Sequence, residues 1–392
     1  MFYGLTRNFG SKHLMRKIEC DVLIIGGGCA GLSLAYEYAQ MKKAGLSVCI
    51  LEKRENYHDD KTWCFWLDHQ QDFSHRDIIL NSWKAWRFSS KEQSYIHRSE
   101  HFAYCHIASL AFYKKTTQAI EDDPRQTLVL GQVVSKIEKN GKYFNVEGPN
   151  LTARATHVID TRAYEPNELI QYTQIFQTFS GVEIETEDDL FDSNLVGLMD
   201  DIQSNGQICQ FRYLLPFTKR HALIELTSFS NAYYPPSDLD VSLQYYLDSL
   251  KVSYKIIREE QGVLPMGINH PPRSEDGIIL GGMKNDNLKP SSGYGFLRSQ
   301  IWAKLIVTKF CNDTLDIKLG KAGHYIPDFF DHTFLRVLDN NIDLAEDIFM
   351  SIGKNMRPDS FAKFMSDKAQ VHDFMRLIAA VPKQPFIKAV LS

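Results

Sequence analysis

The hydrophobic residues near the start of the chain form two short runs separated by a segment that is compatible with a helix. The first run, VLII at 22–25, leads into the glycine-rich stretch 26–31, and helix-compatible residues continue to position 40. The second run, LSVCIL, is followed directly by Glu52. This order predicts a strand, a tight turn, a helix and a second strand, which together make a parallel β-α-β unit.

Farther along the chain, apolar and polar positions alternate with the period of β-strands. The runs TLVLGQVVSKIEK and YFNVEG predict antiparallel strands that turn at Asn140-Gly141. Several alternating segments between about 170 and 265 predict one antiparallel sheet, and GIILGG at 277–282 predicts a buried strand followed by a glycine loop. From about 325 the apolar residues recur at spacings of three and four, which is typical of helices.

These elements predict a mixed α/β fold in which a Rossmann-like domain is interleaved with an antiparallel sheet. We expect a dinucleotide-binding domain at 20–165 together with 275–325, a substrate-binding domain at 166–274 and a helical C-terminal region at 326–392. Residues 1–17, which include a second methionine at Met15, are expected to be an extended or misassigned start.

Composition narrows the class of protein. The chain has 392 residues, a formal net charge of −4 and a pI near 6.4, so no overall positive field attracts nucleic acid. Its seven cysteines contain no Cys-x-x-Cys pair, which predicts reduced thiols rather than disulfides or a zinc site. No uninterrupted apolar run is long enough to span a bilayer, so we expect a cytoplasmic protein or one peripheral to the cytoplasmic membrane.

The first glycine-rich turn carries the pattern Gly-x-Gly-x-x-Gly. In a dinucleotide site Gly26 permits the tight turn, Gly28 lets the backbone approach a pyrophosphate and Gly31 allows close packing of helix and strand. The carboxylate of Glu52, at the end of the second strand, is placed to bind a ribose hydroxyl. The pattern fits FAD or NAD equally, and an ordinary glycine turn is the alternative without a ligand.

Five short motifs, in order behind this turn, resemble those of the bacterial type of lycopene β-cyclase. They are TWCFW at 62–66, VIDTR at 158–162, LLPFTKRHALIELTSF at 214–229, GVLPMG at 262–267 and PSSGYGF at 290–296. The resemblance extends from about residue 20 to the C-terminus. It implies a flavoprotein that binds FAD in the reduced form, uses NADPH as reductant and acts on lycopene and carotenoid intermediates without net oxidation.

The resemblance also implies roles for individual residues. Glu225 matches the essential acid of the family, and alternation along HALIELTSF places it on one face of a strand with Leu223 and Thr227. Apolar neighbours would favour its protonated form, as a proton donor to an alkene requires. The flavin's ribityl contact is left open between Asp286 and backbone groups near Ser292 and Gly293, because the Gly-Asp pair of many flavoprotein hydroxylases is replaced here by Gly281-Gly282. Trp63, Trp66 and Tyr294 are candidate substrate contacts.

Other assignments remain open at this stage. Asp160 and Arg162 are expected either to position the flavin loop or the substrate sheet, or to form an internal salt bridge. His97, His101 and His106 lack the companions of a metal site. The terminal QPFIKAVL either touches a lipid surface or packs on the core. The alternatives in function are a flavin monooxygenase or polyprenyl reductase acting on another lipid, and a carotenoid or flavin binder without catalysis.

Overall fold

A computed structural model describes residues 15–41, 45–268, 277–311 and 325–391. Of the expected start region 1–17, residues 1–14 lie outside the described residues, as does the predicted boundary between 274 and 275, whereas Arg16 and Lys17 already belong to the first strand. The strands in the described part are β1 (Arg16–Ile25), β2 (Val48–Leu51), β3 (Thr62–Asp68), β4 (Asn81–Trp83), β5 (Ala85–Ser90), β6 (Ser94–Arg98), β7 (Phe102–Ala108), β8 (Gln126–Val129), β9 (Lys136–Asn140), β10 (Tyr143–Gly148), β11 (Leu151–Asp160), β12 (Thr173–Thr186), β13 (Val196–Ser204), β14 (Ile208–Pro216), β15 (His221–Ser230), β16 (Tyr254–Ile268) and β17 (Ile279–Leu280). The helices are α1 (Cys29–Gln40), α2 (Ser109–Glu121), α3 (Pro166–Tyr172), α4 (Asp240–Ser249), α5 (Phe296–Cys311), α6 (Tyr325–Asn340), α7 (Ala345–Asn355), α8 (Pro358–Met365), α9 (Val371–Ala380) and α10 (Lys383–Leu391).

The first sheet is mostly parallel and contains the predicted β-α-β unit. Its strand order is β8-β2-β1-β11-β10-β9, and β17 pairs with β11. Side chains of β1 and β2 pack on α1, α2 and α5 in one continuous apolar cluster. The arrangement is Rossmann-like, because parallel strands connected by a helix place their carboxyl ends at one edge of the sheet. Together with the second sheet described below, it confirms the predicted fold class.

One detail of the first sheet differs from the prediction for the run TLVLGQVVSKIEK. Its first half is β8, which pairs in parallel with β2, and only its second half, β9, forms an antiparallel hairpin with β10. The hairpin turns at Gly141 and Lys142, because Asn140 still pairs with Tyr143. Alternation predicts a strand but not its partner, which explains the difference.

The second sheet has the order β16-β12-β15-β14-β13-β5-β6. Residues 173–268 supply five of its strands, as the alternating pattern predicts. The sheet also includes β5 and β6, from the stretch 85–98 that the predicted boundaries assign to the first domain, and β5 pairs in parallel with β13. A hairpin this short carries no sequence signal for the sheet that it joins.

A small third sheet lies between the other two. It has the order β3-β7-β4, and β3 contains the motif TWCFW. The outer face of the second sheet packs against α4, and its inner face packs against the helices of the C-terminal region, which confirms the helical tail. Within the described residues, no helix has the length and apolar character needed to cross a membrane.

Candidate active site

The glycine loop between β1 and α1 has the geometry of an anion site. Gly26 has a φ of +103°, which favours glycine, and a Cβ at Gly31 would lie 1.9 Å from the carbonyl oxygen of Gly26. At Gly28, by contrast, a Cβ would meet no atom within 4 Å. Gly28 is the N-cap residue of α1, where no side chain caps the helix, and the first turn contains no acidic residue. The amide groups at this helix end therefore face open space and favour a negative ligand.

Glu52 closes one side of this loop. The side chain is buried, and it accepts hydrogen bonds from the Gly27 amide at 2.6 Å and from the amide and Nε of Arg54 at 2.9 and 3.0 Å. Burial alone would raise the pKa of Glu52, but these hydrogen bonds and the Arg54 charge lower it below its ordinary value. Glu52 is therefore an ionised acceptor beside the loop.

Two residues that sequence reasoning missed hold the same loop. The Nη2 of Arg54 and the hydroxyl of Tyr57 both donate to the carbonyl oxygen of Gly27, at 3.0 and 2.9 Å. The guanidinium of Arg54 also lies over the rings of Tyr57 and Tyr113. Both residues follow Glu52 in the polar stretch KRENY, whose composition alone indicates only an exposed loop.

The end of β11 supports the glycine loop through a residue inside the VIDTR motif. The hydroxyl of Thr161 donates to the carbonyl oxygens of Gly26 and Ile25, at 2.8 and 3.0 Å. Asp160 and Arg162 form the internal salt bridge that was one of the two expectations, with two bonds at 2.9 and 2.7 Å. Contact with the loop is therefore made by Thr161 and not by its charged neighbours.

A second loop, 281–295, approaches the first from the opposite side. Asp286 has a left-handed backbone with a φ of 55°, and Gly293 has a φ of +71°. A Cβ at Gly293 would lie 2.8 Å from Oε1 of Gln177 on the second sheet. Among the described residues, Nδ2 of Asn287 and the buried hydroxyls of Ser291 and Ser292 have no hydrogen-bond partner. Because buried polar groups are normally satisfied, Nδ2 of Asn287 fits a polar ligand at this loop. Ser291 and Ser292 instead line the apolar cavity described below.

Glu225 lies on β15 with the predicted alternation. Ala222, Ile224 and Leu226 pack against α4, while Glu225 points to the inner face of the sheet and accepts a hydrogen bond from the hydroxyl of Thr227 at 2.8 Å. The side chain of Glu225 is partly exposed, and Cys64 on β3, Tyr213 on β14 and Glu260 on β16 lie close to its carboxyl group. Burial, followed by the charge of Glu260, raises the pKa of Glu225 to about 8. The shift favours the protonated form of the carboxyl group.

An apolar cavity of about 390 Å³ lies between the inner face of the second sheet and the C-terminal helices. Phe229, on the same face of β15 as Glu225, lines it, and so does Tyr213, which pairs with Glu225 across the strands. The volume is within the range of about 300–1,000 Å³ found for ligand pockets. Its other aromatic lining residues are Trp66, Phe88, Tyr294, Phe329, Phe330, Phe334, Phe349, Phe361, Phe364 and Phe386.

The two candidate tryptophans are separated by the strand that carries them. Trp66 is buried at the cavity wall, where its ring contacts that of Tyr294 with centroids 5.5 Å apart. Trp63 lies on the opposite face of β3 and packs on Phe112 and Phe296. Residues three apart on a strand point to opposite faces, so the expectation that both rings meet one substrate is not met. Trp66 therefore lines the cavity, and Trp63 packs on the other side of the strand.

Comparison with known proteins identifies the family to which these features belong. The family model described as lycopene cyclase protein matches residues 21–391. The chain belongs to the lycopene cyclase family. Among curated relatives, the chloroplastic lycopene beta cyclase of Solanum lycopersicum is 23% identical over 315 residues, which are 74% of this chain and 60% of that protein. The chain thus matches somewhat less than two thirds of the length of such relatives.

Solved structures share the fold of this lycopene cyclase family member. A geranylgeranyl bacteriochlorophyll reductase-like protein from Thermoplasma acidophilum aligns over 95% of this chain and 99% of its own, with a TM-score of 0.63 and 15% identity. A mutant of halogenase PltM in complex with FAD aligns over 84% of this chain and 77% of its own, with a TM-score of 0.53 and 13% identity. At these identities the likeness shows the fold alone.

The mouth of the cavity in this family member is apolar and exposed. Ile378, Ile387, Val390 and Leu391 line the cavity and are 48%, 57%, 50% and 82% exposed. Phe386 is partly buried against the core, so α10 both packs on the protein and presents apolar side chains outward. Within the described residues, no cluster of His, Cys, Asp and Glu side chains is arranged to bind a metal ion.

Proposed function

We propose that this protein is an FAD-dependent lycopene β-cyclase, which closes the acyclic ψ-ends of lycopene to β-ionone rings through γ-carotene to β-carotene. The observation that carries the proposal is the position of Glu225 on the inner sheet face, next to Tyr213 and Phe229 of the apolar aromatic cavity, where burial favours the protonated carboxyl group. An acid that is still protonated at neutral pH is what protonation of an alkene requires.

In the proposed reaction Glu225 transfers its proton to the terminal double bond of a ψ-end. The internal double bond attacks the resulting cation and closes the ring, and loss of a ring proton gives the β-end. The Glu225 carboxylate formed in the first step is the candidate base for the last one. One proton enters and one leaves, so the reaction is redox-neutral and its product is an isomer of the substrate.

The cavity walls suit the cationic intermediate. Trp66 and Tyr294 present rings to the cavity, and a ring face attracts a cation. The hydroxyl of Tyr294 bonds to those of Tyr104 and Tyr213, at 2.8 and 3.4 Å, so these polar atoms are paired with one another. A dry wall of this kind prevents capture of the cation by water.

The two loops at the edge of the first sheet are the proposed FAD site. We assign the pyrophosphate to the amides at Gly28 and the start of α1, and a ribose hydroxyl to Glu52, while Gly26 and Gly31 shape the loop. Asp286, Asn287 and Gly293 belong to the loop proposed to contact the remaining part of the cofactor. When bound by these residues, FAD in the reduced form, with NADPH as reductant, would supply a negative charge that favours a cationic intermediate.

The test is anaerobic incubation of the purified protein with lycopene in liposomes, FAD and NADPH, in H2O and in D2O. In H2O we expect cyclic product with the mass of lycopene. In D2O we expect the same product with one deuterium per ring. Glu225→Gln should lower the rate by at least about 100-fold, whereas Glu185→Gln, an exposed carboxylate on the same sheet, should have no effect. A product heavier by two hydrogens under these conditions establishes a reductase instead, and a product heavier by oxygen when the incubation is repeated in air establishes a monooxygenase. Bound pigment without turnover establishes a binder.

The exposed mouth of the cavity supports a peripheral position on the cytoplasmic face of a membrane. Lycopene dissolves in lipid, and Ile387 and Leu391 on α10 would enter the bilayer interface at the point where the cavity opens. We expect the double variant Ile387→Glu, Leu391→Glu to bind liposomes about tenfold or more weakly in a flotation assay. Val241→Glu on α4, which replaces a side chain 80% exposed, is the matched control and should bind normally.

A further inference from the structure

Glu225 faces a second glutamate across the strand between them. In the register of the second sheet, Gly181 on β12 pairs with Glu225 on β15 and with Glu260 on β16. The three residues form one row on the inner face, and its central member has no side chain. A Cβ at Gly181 would lie 3.1 Å from Cβ and 3.2 Å from Cγ of Glu225. The two carboxyl groups meet over this gap, within hydrogen-bonding reach of each other.

The two carboxyl groups have different surroundings. Glu260 is 6% exposed and accepts hydrogen bonds from Nη1 of Arg258 at 2.6 Å and from the hydroxyl of Thr62 at 2.9 Å. Arg258 is fixed in turn by Glu183, at 2.5 Å. Within the described part of the chain no cation forms an ion pair with Glu225, whose hydrogen-bond partners are Thr227 and Glu260. The negative charge of the pair is therefore stabilised at Glu260, and the proton is left to Glu225.

We propose that Glu260 is a positioning residue for Glu225: its carboxylate, held by Arg258 and Thr62, accepts a hydrogen bond from the protonated Glu225 across Gly181. The proposal rests on the proposed function, in which Glu225 donates the proton, and it adds a second carboxylate that keeps this donor loaded between turnovers. When Glu225 gives up its proton, the pair carries two negative charges, so recapture of the ring proton by Glu225 is favoured. The carboxyl pair thereby makes Glu225 suited to both proton transfers.

Other groups around Glu225 act on the same proton. Lys61 contributes a positive charge that opposes the effect of Glu260, while Cys64 on β3 and Tyr213 on β14 lie close enough to interact with the carboxyl group when charged. Burial holds both the thiol of Cys64 and the hydroxyl of Tyr213 in their neutral forms by raising their pKa values. Glu183, two residues from Gly181 on β12, is paired with His221 and Arg258. Glu260 is the group whose negative charge raises the pKa of Glu225.

The proton on Glu225 can be measured without substrate. Infrared spectra of the purified protein, recorded across pH, contain the C=O band of a protonated carboxyl group, and its loss in Glu225→Gln assigns the band. We expect Glu260→Gln to lower the titration midpoint of this band by about one pH unit or more. Glu259→Gln removes the neighbouring exposed carboxylate from the opposite face of β16 and should leave the midpoint unchanged.

Two further variants keep the test informative if Glu260→Gln folds poorly. Gly181→Ala retains every charge but inserts a methyl group between the carboxyl groups, so it should also lower the midpoint. Glu260→Asp retains the charge at a shorter reach and should give a midpoint between those of Glu260→Gln and the wild type. An unchanged midpoint in both Glu260→Gln and Gly181→Ala would overturn the proposal.

The cyclisation assay separates this proposal from the proposed function. If the wild type cyclises lycopene, the alkaline limb of its pH–rate profile should move to lower pH in Glu260→Gln, with a larger loss in kcat than change in KM. If the wild type has no cyclase activity but the infrared midpoint still shifts, the carboxyl pair stands and the proposed function fails. If cyclisation is found and neither the limb nor the midpoint moves, the function stands and the role of Glu260 fails.

Discussion

Glu52 and Glu225 are both glutamates, but their surroundings shift their pKa values in opposite directions. Glu52 ends a parallel strand and receives hydrogen bonds from Gly27 and Arg54, which lower its pKa. Glu225 lies mid-strand on an enclosed sheet face, where burial and a second carboxylate raise its pKa to about 8. One glutamate is thereby suited to accept hydrogen bonds from a ligand and the other to donate a proton.

The difference also lies in where the partners come from. Glu52 obtains its charge partner from Arg54, two residues along the chain, and the Gly27 amide of the adjacent glycine loop adds one hydrogen bond. The state of Glu225 depends on Gly181 and Glu260, which strand pairing brings to it from distant parts of the chain. The same residue type therefore acquires opposite roles through local contacts in one region and through sheet register in the other.

The largest effect that would distinguish the two regions is the pH dependence of cyclisation. As the proposed acid, Glu225 would act only when protonated, so activity should be retained below its pKa and lost as pH rises through about 8, by about tenfold per pH unit beyond it. The measurement is kcat/KM from about pH 6 to about pH 10, with liposome binding followed in the same samples. A rate that stays constant to the alkaline end while binding is retained would contradict protonated Glu225 as the acid.

A smaller effect is expected when the charge of Glu52 is removed. Glu52→Gln leaves Arg54 without its buried partner, so the free energy of unfolding at neutral pH should fall by about 1–3 kcal/mol. Glu55→Gln, an exposed carboxylate on the same loop, is the matched control. Denaturant unfolding provides the measurement.

The pH dependence of this loss has a definite sign. Because the folded pKa of Glu52 lies below its ordinary value of 4.5, the stabilisation is complete above that value and is lost as pH falls through the folded pKa. The stability gap between wild type and Glu52→Gln should therefore narrow in acid. A gap that widens in acid would show that Glu52 is not ionised in the folded protein.

The sequence predicted the region of Glu52 more completely than the region of Glu225, because periodicity and spacing report local structure and not the contacts between distant strands. The β-α-β unit, the glycine loop and Glu52 follow from local periodicity and spacing, and the antiparallel sheet and helical tail follow likewise. Glu225 was found through resemblance to a family, since an alternating strand does not by itself show what covers its face. Glu260 was missed because its contact with Glu225 depends on the register of three strands and on a missing side chain at Gly181.

The separation of Trp63 from Trp66 and the recruitment of β5 and β6 have a similar origin. The motif TWCFW indicates that its rings need burial, but the face toward which each ring points depends on where β3 lies between two sheets. The hairpin of β5 and β6 pairs with β13, which follows much later in the chain. Periodicity therefore does not predict the parts of the site that depend on contacts between distant segments of the chain.

The smallest expected effect on stability is that of Gly28→Ala, a variant that also tests whether the glycine loop binds the cofactor. A Cβ at this position meets no protein atom, so Gly28→Ala should change the free energy of unfolding by no more than about 0.5 kcal/mol. The same methyl group would occupy the space assigned to the pyrophosphate, so the variant should lose FAD, measured by flavin absorbance that co-elutes with the protein. Gly31→Ala, whose Cβ would collide with the Gly26 carbonyl, should instead unfold more readily. Normal flavin retention in a stable Gly28→Ala protein would place the cofactor elsewhere, because a ligand bound at the start of α1 cannot tolerate a side chain there.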